Sequence, residues 1–332
     1  MIKCAIVGAT GLVGQTFLKV LEEKNLKIDE YELFASSKSN GKNVKFMDKE
    51  YTVQELTEES FEKTKFDYAL FSAGGNISKH YIPFAVKSGC IVVDNSSHFR
   101  MHDDVPLIVP EVNEYDIFKH KGIIANPNCS TIQAMLPLKA LNDEYPISRI
   151  IYSTYQAVSG AGNAGINDLI NTRNGSGPSK FPYSIADNCI PQVDIFLENS
   201  YTKEEIKMIE ETRKILNNPK LPITATCVRV PVLNCHSESI NIEFENEFNI
   251  QDIFKILSNY PGITVIDEID SNKYPINELA NGIDDVLVGR IRRDYSVKNG
   301  INLWVVADNV RKGAASNAVQ ILEKLIEKRH DI

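Results

Sequence analysis

The first strand-like run of the chain, Ile2–Val7, breaks on Gly8-Ala9-Thr10-Gly11-Leu12-Val13-Gly14 and passes into a helical pattern, Gly14–Glu23. Strand, glycine turn and helix in that order open a βαβ unit. The alternation then continues. Short apolar runs stand at Glu32–Ala35, Tyr68–Ser72, Ile91–Asp94, Leu107–Val109 and Ile123–Ala125, with a helical pattern around Lys79–Ser88. Parallel neighbours need a crossover between them, so this alternation predicts a doubly wound parallel sheet with helices on both faces.

Beyond residue 148 the texture changes. Arg149–Gln156, Thr224–Val232, Ser237–Glu245 and Asn302–Ala307 read as longer strands, several alternating, which suits a mixed or antiparallel sheet with one covered face. A Gly/Asn/Ser/Pro-rich loop, Asn171–Pro182, and a charged helix, Thr202–Leu216, lie between them. Apolar positions 318, 319, 321, 322, 325 and 326 mark a last amphipathic helix, Ala314–Glu327. The expected organisation is an α/β chain of two domains. A Rossmann-like, dinucleotide-binding domain spans 1–128 and is completed by a C-terminal helix at 312–332; an α+β domain with a mixed sheet spans 129–311.

A chain of 332 residues supports two sizeable cores. Its net charge of −8 argues against a nucleic-acid partner. No apolar stretch reaches the roughly 18 residues that a spanning helix needs. The amino terminus enters a strand without a signal-peptide pattern, so the cytoplasm is the expected location. Six cysteines (4, 90, 129, 189, 227 and 235) form no CxxC pair, which speaks against a metal centre and a disulfide framework. Cys235 is expected to be an inert thiol.

Gly8, Thr10, Gly11, Leu12 and Val13 form the turn expected to hold a dinucleotide pyrophosphate, because glycines allow close backbone approach at a helix N-terminus. After the second strand, an NAD-selective site carries Asp or Glu for the ribose hydroxyls. Here the chain reads Phe34-Ala35-Ser36-Ser37-Lys38-Ser39 instead. The hydroxyls and lysine of Ser36, Lys38 and Ser39 suit a 2′-phosphate, so NADP(H) is the expected cofactor. A second small-residue turn, Ser72-Ala73-Gly74, is placed to lie along it.

Asn126-Pro127-Asn128-Cys129-Ser130-Thr131-Ile132-Gln133 puts a cysteine where the run Gly122–Ala125 stops and a helical stripe begins. A thiol in the first turn of a helix faces unpaired N–H groups and the positive end of the dipole, which favours the thiolate. Cys129 is therefore the candidate nucleophile.

GATGLVG, FSAGG, VVDNSSHFR, PNCSTIQ, STYQAVSGAG, CVRVPVLNCHSES and WVVADNVRKGAA follow one another along the chain. In these motifs and their order the chain resembles aspartate-semialdehyde dehydrogenase over nearly its full length. The resemblance implies NADPH-dependent reductive dephosphorylation of L-aspartyl 4-phosphate to L-aspartate 4-semialdehyde, a precursor of lysine, threonine and methionine. It also implies a homodimer, or a tetramer, built on the second domain, which then carries both catalysis and dimerisation. Partners would be the acyl phosphate, the aldehyde and phosphate.

Under the resemblance Cys129 attacks the acyl phosphate and leaves a thioacyl enzyme, with His236 as acid/base and Gln156 orienting the acyl group. Arg229 grips the substrate carboxylate, Arg100 and Lys207 bind phosphate, and Glu204 meets the substrate amine. Asn128 shapes the oxyanion environment. Ser159, Gly160, Gly162 and Asn309 stand near the nicotinamide end. The Gly162–Pro191 segment is shorter than in several relatives and has no assigned conformation.

Three rival activities share parts of this logic. They are another acyl-phosphate reductase (N-acetyl-glutamyl-phosphate or glyceraldehyde-phosphate type), a malonyl-CoA-reductase-like enzyme, and a non-catalytic NADP sensor. A sensor would need the glycine turn but not Cys129, Gln156, Arg229 and His236 together.

Overall fold

The computed structural model describes residues 1–330 and divides into two compact units. One comprises Met1–Pro127 and the chain from Ala314 onward; the other is Asn128–Gly313. Residues 331 and 332, the end of the helix expected at 312–332, lie outside the described residues.

The first unit holds strands β1 (Lys3–Val7), β2 (Glu30–Ala35), β3 (Asn43–Phe46), β4 (Lys49–Thr52), β5 (Gln54–Glu55), β6 (Tyr68–Phe71), β7 (Ile91–Asp94) and β8 (Ile123–Ala125). Six of them form a sheet in the order β5-β2-β1-β6-β7-β8, every pair parallel. β1, β6 and β7 are apolar nearly throughout and buried, as strands covered on both faces must be. Helices Leu12–Lys24 and Asn317–His330 pack on one side with Phe17, Leu21, Val319 and Leu322. Phe34, Phe61, Phe66 and Phe71 form an aromatic cluster elsewhere in the unit. Asn317 Nδ2 ties the last helix to Ile108 O (2.9 Å) and Asn126 Oδ1 (2.7 Å).

Two expectations change here. Leu107–Val109 is not a strand: Leu107 makes a single bridge to Ala125, and Pro106 and Pro110 flank the run. Proline removes the N–H a ladder needs. The last helix begins with a π-helical turn, Arg311–Ser316, before the α-helix starts at Asn317.

The second unit is built on a mixed sheet of β9 (Ile147–Gln156), β10 (Ile223–Arg229), β11 (His236–Phe244), β12 (Ile263–Val265), β13 (Val286–Asp294) and β14 (Gly300–Ala307). Their order is β10-β9-β11-β14-β13-β12, with parallel pairs at the two edges and antiparallel pairs between. Helix Cys129–Asn142 is buried on every side, consistent with its apolar sequence all round. Helix Lys203–Ile215 is amphipathic and opens with a capping box in which Thr202 and Glu205 satisfy each other's backbone N–H. Within Gly162–Pro191, residues Gly162–Arg173 form a helix, so the expected loop begins later than Asn171.

β12, β13 and helix Ile250–Asn259 escape the sequence reading. β13 carries a bulge between Gly289 and Arg292, with Arg290 at φ +52°, which interrupts its alternation.

Candidate active site

In the first unit, the dinucleotide turn is set by close approach of backbone to backbone. Gly8 has φ +87°, and a Cβ there would lie 2.3 Å from Ser72 O. A Cβ on Gly14 would lie 2.0 Å from Gly8 O. No side chain but glycine fits either position. Gly11 caps helix Leu12–Lys24 without a side-chain bond, so Leu12 and Val13 present first-turn N–H groups as an anion site requires. Thr10 Oγ1 donates to Ser39 Oγ at 3.2 Å, closing this turn against the loop after β2. Ser39 is buried by that contact, whereas Ser36 and Lys38 are exposed. Asn95 Nδ2 donates to Ser72 Oγ (3.4 Å), and Gly74, at φ +92°, caps helix Gly75–Lys87. All of these stand at the carboxyl ends of β1, β2, β6 and β7, the edge where open α/β sheets bind ligands. The residues fit a dinucleotide. Arg100 is buried in this unit, donating from Nε to Asn126 O (2.9 Å) and from Nη2 to Asn95 O (3.0 Å).

In the second unit, register assembles the chemistry. Arg229 pairs with Gln156 across β10 and β9. His236 precedes Ser237, which pairs with Tyr155 across β11 and β9. Arg229, Gln156 and His236 therefore form one row at the ends of three adjoining strands, with side chains on one face. The Ala157 peptide joins two of them: its N–H donates to His236 Nδ1 (3.0 Å) and its carbonyl accepts from Arg229 Nη1 (2.6 Å). Gly160 lies directly over both. A Cβ there would come within 3.0 Å of Arg229 Nη1 and 3.1 Å of His236 Nε2.

That hydrogen bond also fixes the tautomer. With Nδ1 accepting, the proton of a neutral imidazole sits on Nε2. Burial, and secondly the charge of Arg229, push His236 down to about 3, so the neutral form prevails at working pH. Its Nε2 and the Nε of Arg229 are buried donors with no hydrogen-bond partner among the described residues. Two unpartnered donors on a buried row are what an anionic or oxyanionic ligand would satisfy.

Cys129 is the first residue of its helix and half-buried. Asn128 caps that helix, its Oδ1 accepting from Ser130 N (2.9 Å) and Thr131 N (3.4 Å). The Asn128 Nδ2 donates to Glu204 Oε1 at 2.9 Å, so both ends of this amide are engaged inside the protein. Cys129 lies close enough to Arg229 for its charge to act on the guanidinium. Gly313 seats against it: a Cβ at 313 would lie 2.9 Å from Cys129 Cβ. The sequence reading passed over Gly313, although it stands in the quoted stretch WVVADNVRKGAA.

Glu204 organises one side of the row. Its carboxylate accepts from Gln156 Nε2 (3.0 Å), Asn128 Nδ2 (2.9 Å) and Lys207 Nζ (3.0 Å). Thr154 Oγ1 holds the other end of the Gln156 amide at 3.1 Å. Lys207 also pairs with Asp194 at 2.8 Å, a partner no motif revealed. Burial alone would raise Glu204, but the Lys207 charge and these hydrogen bonds outweigh it and hold the carboxyl at about 2. Burial likewise opposes the Lys207 ammonium, and the charges of Glu204 and Asp194 carry its pKa above the ordinary value.

A lowered carboxylate contributes stability that is fully present above its unfolded value near 4.5 and lost as pH falls through about 2. Urea unfolding measured across that window should show wild-type stability falling by a few kcal/mol more than in Glu204→Gln. Equal slopes in the two proteins would remove Glu204 from this role.

Ser159 and Asn309 are bonded to each other (3.0 Å), and Asn309 Oδ1 accepts from Cys235 N at 3.0 Å. Asn309 thus supports the buried residue just before His236, which sits at φ +70°. Gly162, at φ +69°, has open space where a Cβ would stand. Among the described residues no group of three or more His, Cys, Asp or Glu is arranged to hold a metal ion. None of the described helices is long and apolar enough to cross a membrane.

Over nearly its full length the chain is similar to known proteins of one family. Residues 3–120 match the family described as semialdehyde dehydrogenase, NAD binding domain, and residues 138–312 match its dimerisation domain. Aspartate-semialdehyde dehydrogenase of Aquifex aeolicus is 52% identical, covering 98% of each chain. The Bacillus subtilis enzyme of that name is 49% identical, covering 97% of this chain and 96% of its own. Among solved structures, aspartate semialdehyde dehydrogenase II of Vibrio cholerae, complexed with ASA, superposes with a TM-score of 0.94 at 46% identity and 98% coverage of each chain. The chain belongs to the aspartate-semialdehyde dehydrogenase family, oxidoreductases that act on an aldehyde group.

Proposed function

We propose that this protein makes L-aspartate 4-semialdehyde from L-aspartyl 4-phosphate through a thioacyl bond to Cys129, using NADPH. The observation that carries the reading is the row Arg229–Gln156–His236, with two buried unpartnered donors, in one unit with a cysteine at a helix N-terminus.

The Cys129 thiolate attacks the acyl carbon, a carbon–sulfur bond forms, and the carbon–oxygen bond to phosphate breaks. Departing phosphate takes up one proton from solvent, the proton the overall reaction consumes, and the cations Lys207 and Arg100 are the groups assigned to receive the phosphate. Arg229 holds the substrate α-carboxylate through two parallel N–H donors. Gln156, held between Thr154 and Glu204, orients the acyl oxygen. The thioester would take its hydride from NADPH, which the glycine turn, Leu12 and Val13 would hold. His236, expected as the acid/base, is neutral with its Nδ1 occupied, and in this reading donates its Nε2–H to the oxyanion at each tetrahedral stage. Collapse of the second expels the Cys129 thiolate, and the nucleophile is regenerated without a further proton.

The glycine turn, Leu12 and Val13 would hold the pyrophosphate, with Ser72, Ala73 and Gly74 alongside. Ser36 and Lys38 would meet the 2′-phosphate, and the loop after β2 has no carboxylate from Phe34 to Lys42 to repel it. A structural relative from Candida albicans, 27% identical with a TM-score of 0.76, is described with NADP. Ser159, Gly160, Gly162 and Asn309 are the second unit's part of this assignment. The dimerisation domain supports a homodimer. The cytoplasm fits a biosynthetic enzyme of this kind, which feeds lysine, threonine and methionine.

The test follows reduction of NADP in the presence of aspartate semialdehyde and phosphate, omitting each in turn and exchanging NAD for NADP and coenzyme A for phosphate. Activity is expected only with all three components, and lower with NAD. Undiminished activity with coenzyme A in place of phosphate would move the assignment to an acyl-CoA reductase.

A further inference from the structure

Behind the catalytic row lies a second one that the mechanism above does not use. Glu238 faces Thr154 across β11 and β9, and Thr154 faces Cys227 across β9 and β10. Two residues along β11 from His236, Glu238 projects from the same face of the sheet. It is fully buried, and neither carboxylate oxygen has a hydrogen-bond partner among the described residues. An ionised carboxylate in that position would be held without any compensating donor, which is prohibitively unfavourable.

A second buried orphan reaches the start of the same strand. Gln133 is one helical turn beyond Cys129, hence on the same face of that helix. Its Nε2 donates to the backbone carbonyl of His236 at 3.2 Å, which brings the amide onto β11. Its Oε1 is buried, with no donor among the described residues. Two acceptors without donors among the described residues, one on β11 and one on the helix bonded to its first residue, are satisfied by one proton between them.

We propose that Glu238 carries that proton and donates it to Gln133 Oε1, clasping the helix that begins at Cys129 to the strand that begins at His236. Glu238 and Gln133 are then positioning residues of the reaction. Glu238 touches no substrate; it keeps the nucleophile and the oxyanion donor at a fixed separation. The titratable groups facing it are Tyr152 and Cys227 on the neighbouring strands, Glu204 on helix Lys203–Ile215, and His236. Burial first, and the Glu204 charge second, raise the Glu238 carboxyl well above its ordinary value. Two carboxyls of one unit are thus held apart, Glu204 ionised and Glu238 neutral, a division typical of functional sites.

This inference rests on the Cys129–His236 reading, so part of its test avoids turnover. The infrared spectrum of wild-type protein near neutral pH should contain a protonated-carboxyl C=O band that is absent from E238Q and E238L and retained in E204Q. In kinetics, E238L should lower kcat about 10- to 100-fold with a much smaller change in KM, as misplacement of reacting groups does. E238Q should recover most of that loss, because its amide N–H can donate to the same oxygen. Should E238L not fold, Gln133→Leu provides the same comparison. A missing wild-type band, wild-type kcat in E238L, or equal impairment of E238Q and E238L would each overturn the clasp. Failure of the covalent reading would show separately, as turnover without Cys129, whatever the band reports.

Discussion

Cys129→Ala is expected to lower kcat by about four orders of magnitude or more, the scale seen when a covalent nucleophile is removed. NADPH binding, followed by its fluorescence, should remain near the wild-type value, because the glycine turn belongs to the other unit. The expectation follows from local structure. Cys129 opens a helix whose cap, Asn128, is anchored through Glu204, and Gly313 packs so close to it that a Cβ at 313 would lie 2.9 Å from Cys129 Cβ. Alanine keeps the helix and the packing and removes only the sulfur. A variant that still turns over at a wild-type rate would mean that the acyl group never bonds to this residue. Burst formation of a stable acyl-enzyme in wild type, trapped by omitting the dinucleotide and read by mass, checks the same step directly.

The second large effect is at Arg229. Arg229→Lys should raise KM for aspartate semialdehyde about 100-fold or more, with a smaller fall in kcat. Charge-assisted hydrogen bonds contribute about 1.5–3 kcal/mol each, and an ammonium cannot reproduce a planar fork. The structure adds a reason specific to this chain. Arg229 is buried, its Nη1 is engaged by Ala157 O, and its Nε has no hydrogen-bond partner among the described residues. A lysine could retain the contact to Ala157 or reach a ligand carboxylate, but not both with the same geometry. Steady-state kinetics with the semialdehyde as varied substrate decide it. An unchanged KM would assign the carboxylate to another cation, and Lys207 would be the next to test.

Much of the architecture could be read from short-range pattern. The alternation of apolar runs and helical stripes over the first 125 residues identified the parallel sheet, since each run is bounded by its own turn. Leu107–Val109 misled because its side chains suit a strand while its flanking prolines remove ladder donors. β13 was invisible for the opposite reason: Gly289 and Arg290 break the alternation where the chain bulges, yet the pairing resumes beyond them. Asn128 was read as shaping an oxyanion environment. The fold instead engages its amide as a helix cap and a bond to Glu204, contacts that a linear motif does not display.

What the sequence determined by itself is therefore what depends on neighbours along the chain: the glycine turn before the first helix, the cysteine at a strand-to-helix junction, and the charged helix that begins near Thr202. Local periodicity and backbone sterics act over a few residues, and the sequence prints those residues side by side. The tertiary structure alone decided which groups meet. The register of β10, β9 and β11 brings Arg229, Gln156 and His236, far apart in sequence, into one row. The Ala157 peptide then selects the proton's place on the imidazole, and burial without donors decides the charge of Glu238. Those outcomes depend on strand pairing and on what each atom loses when water leaves, and neither quantity belongs to any stretch of chain taken alone.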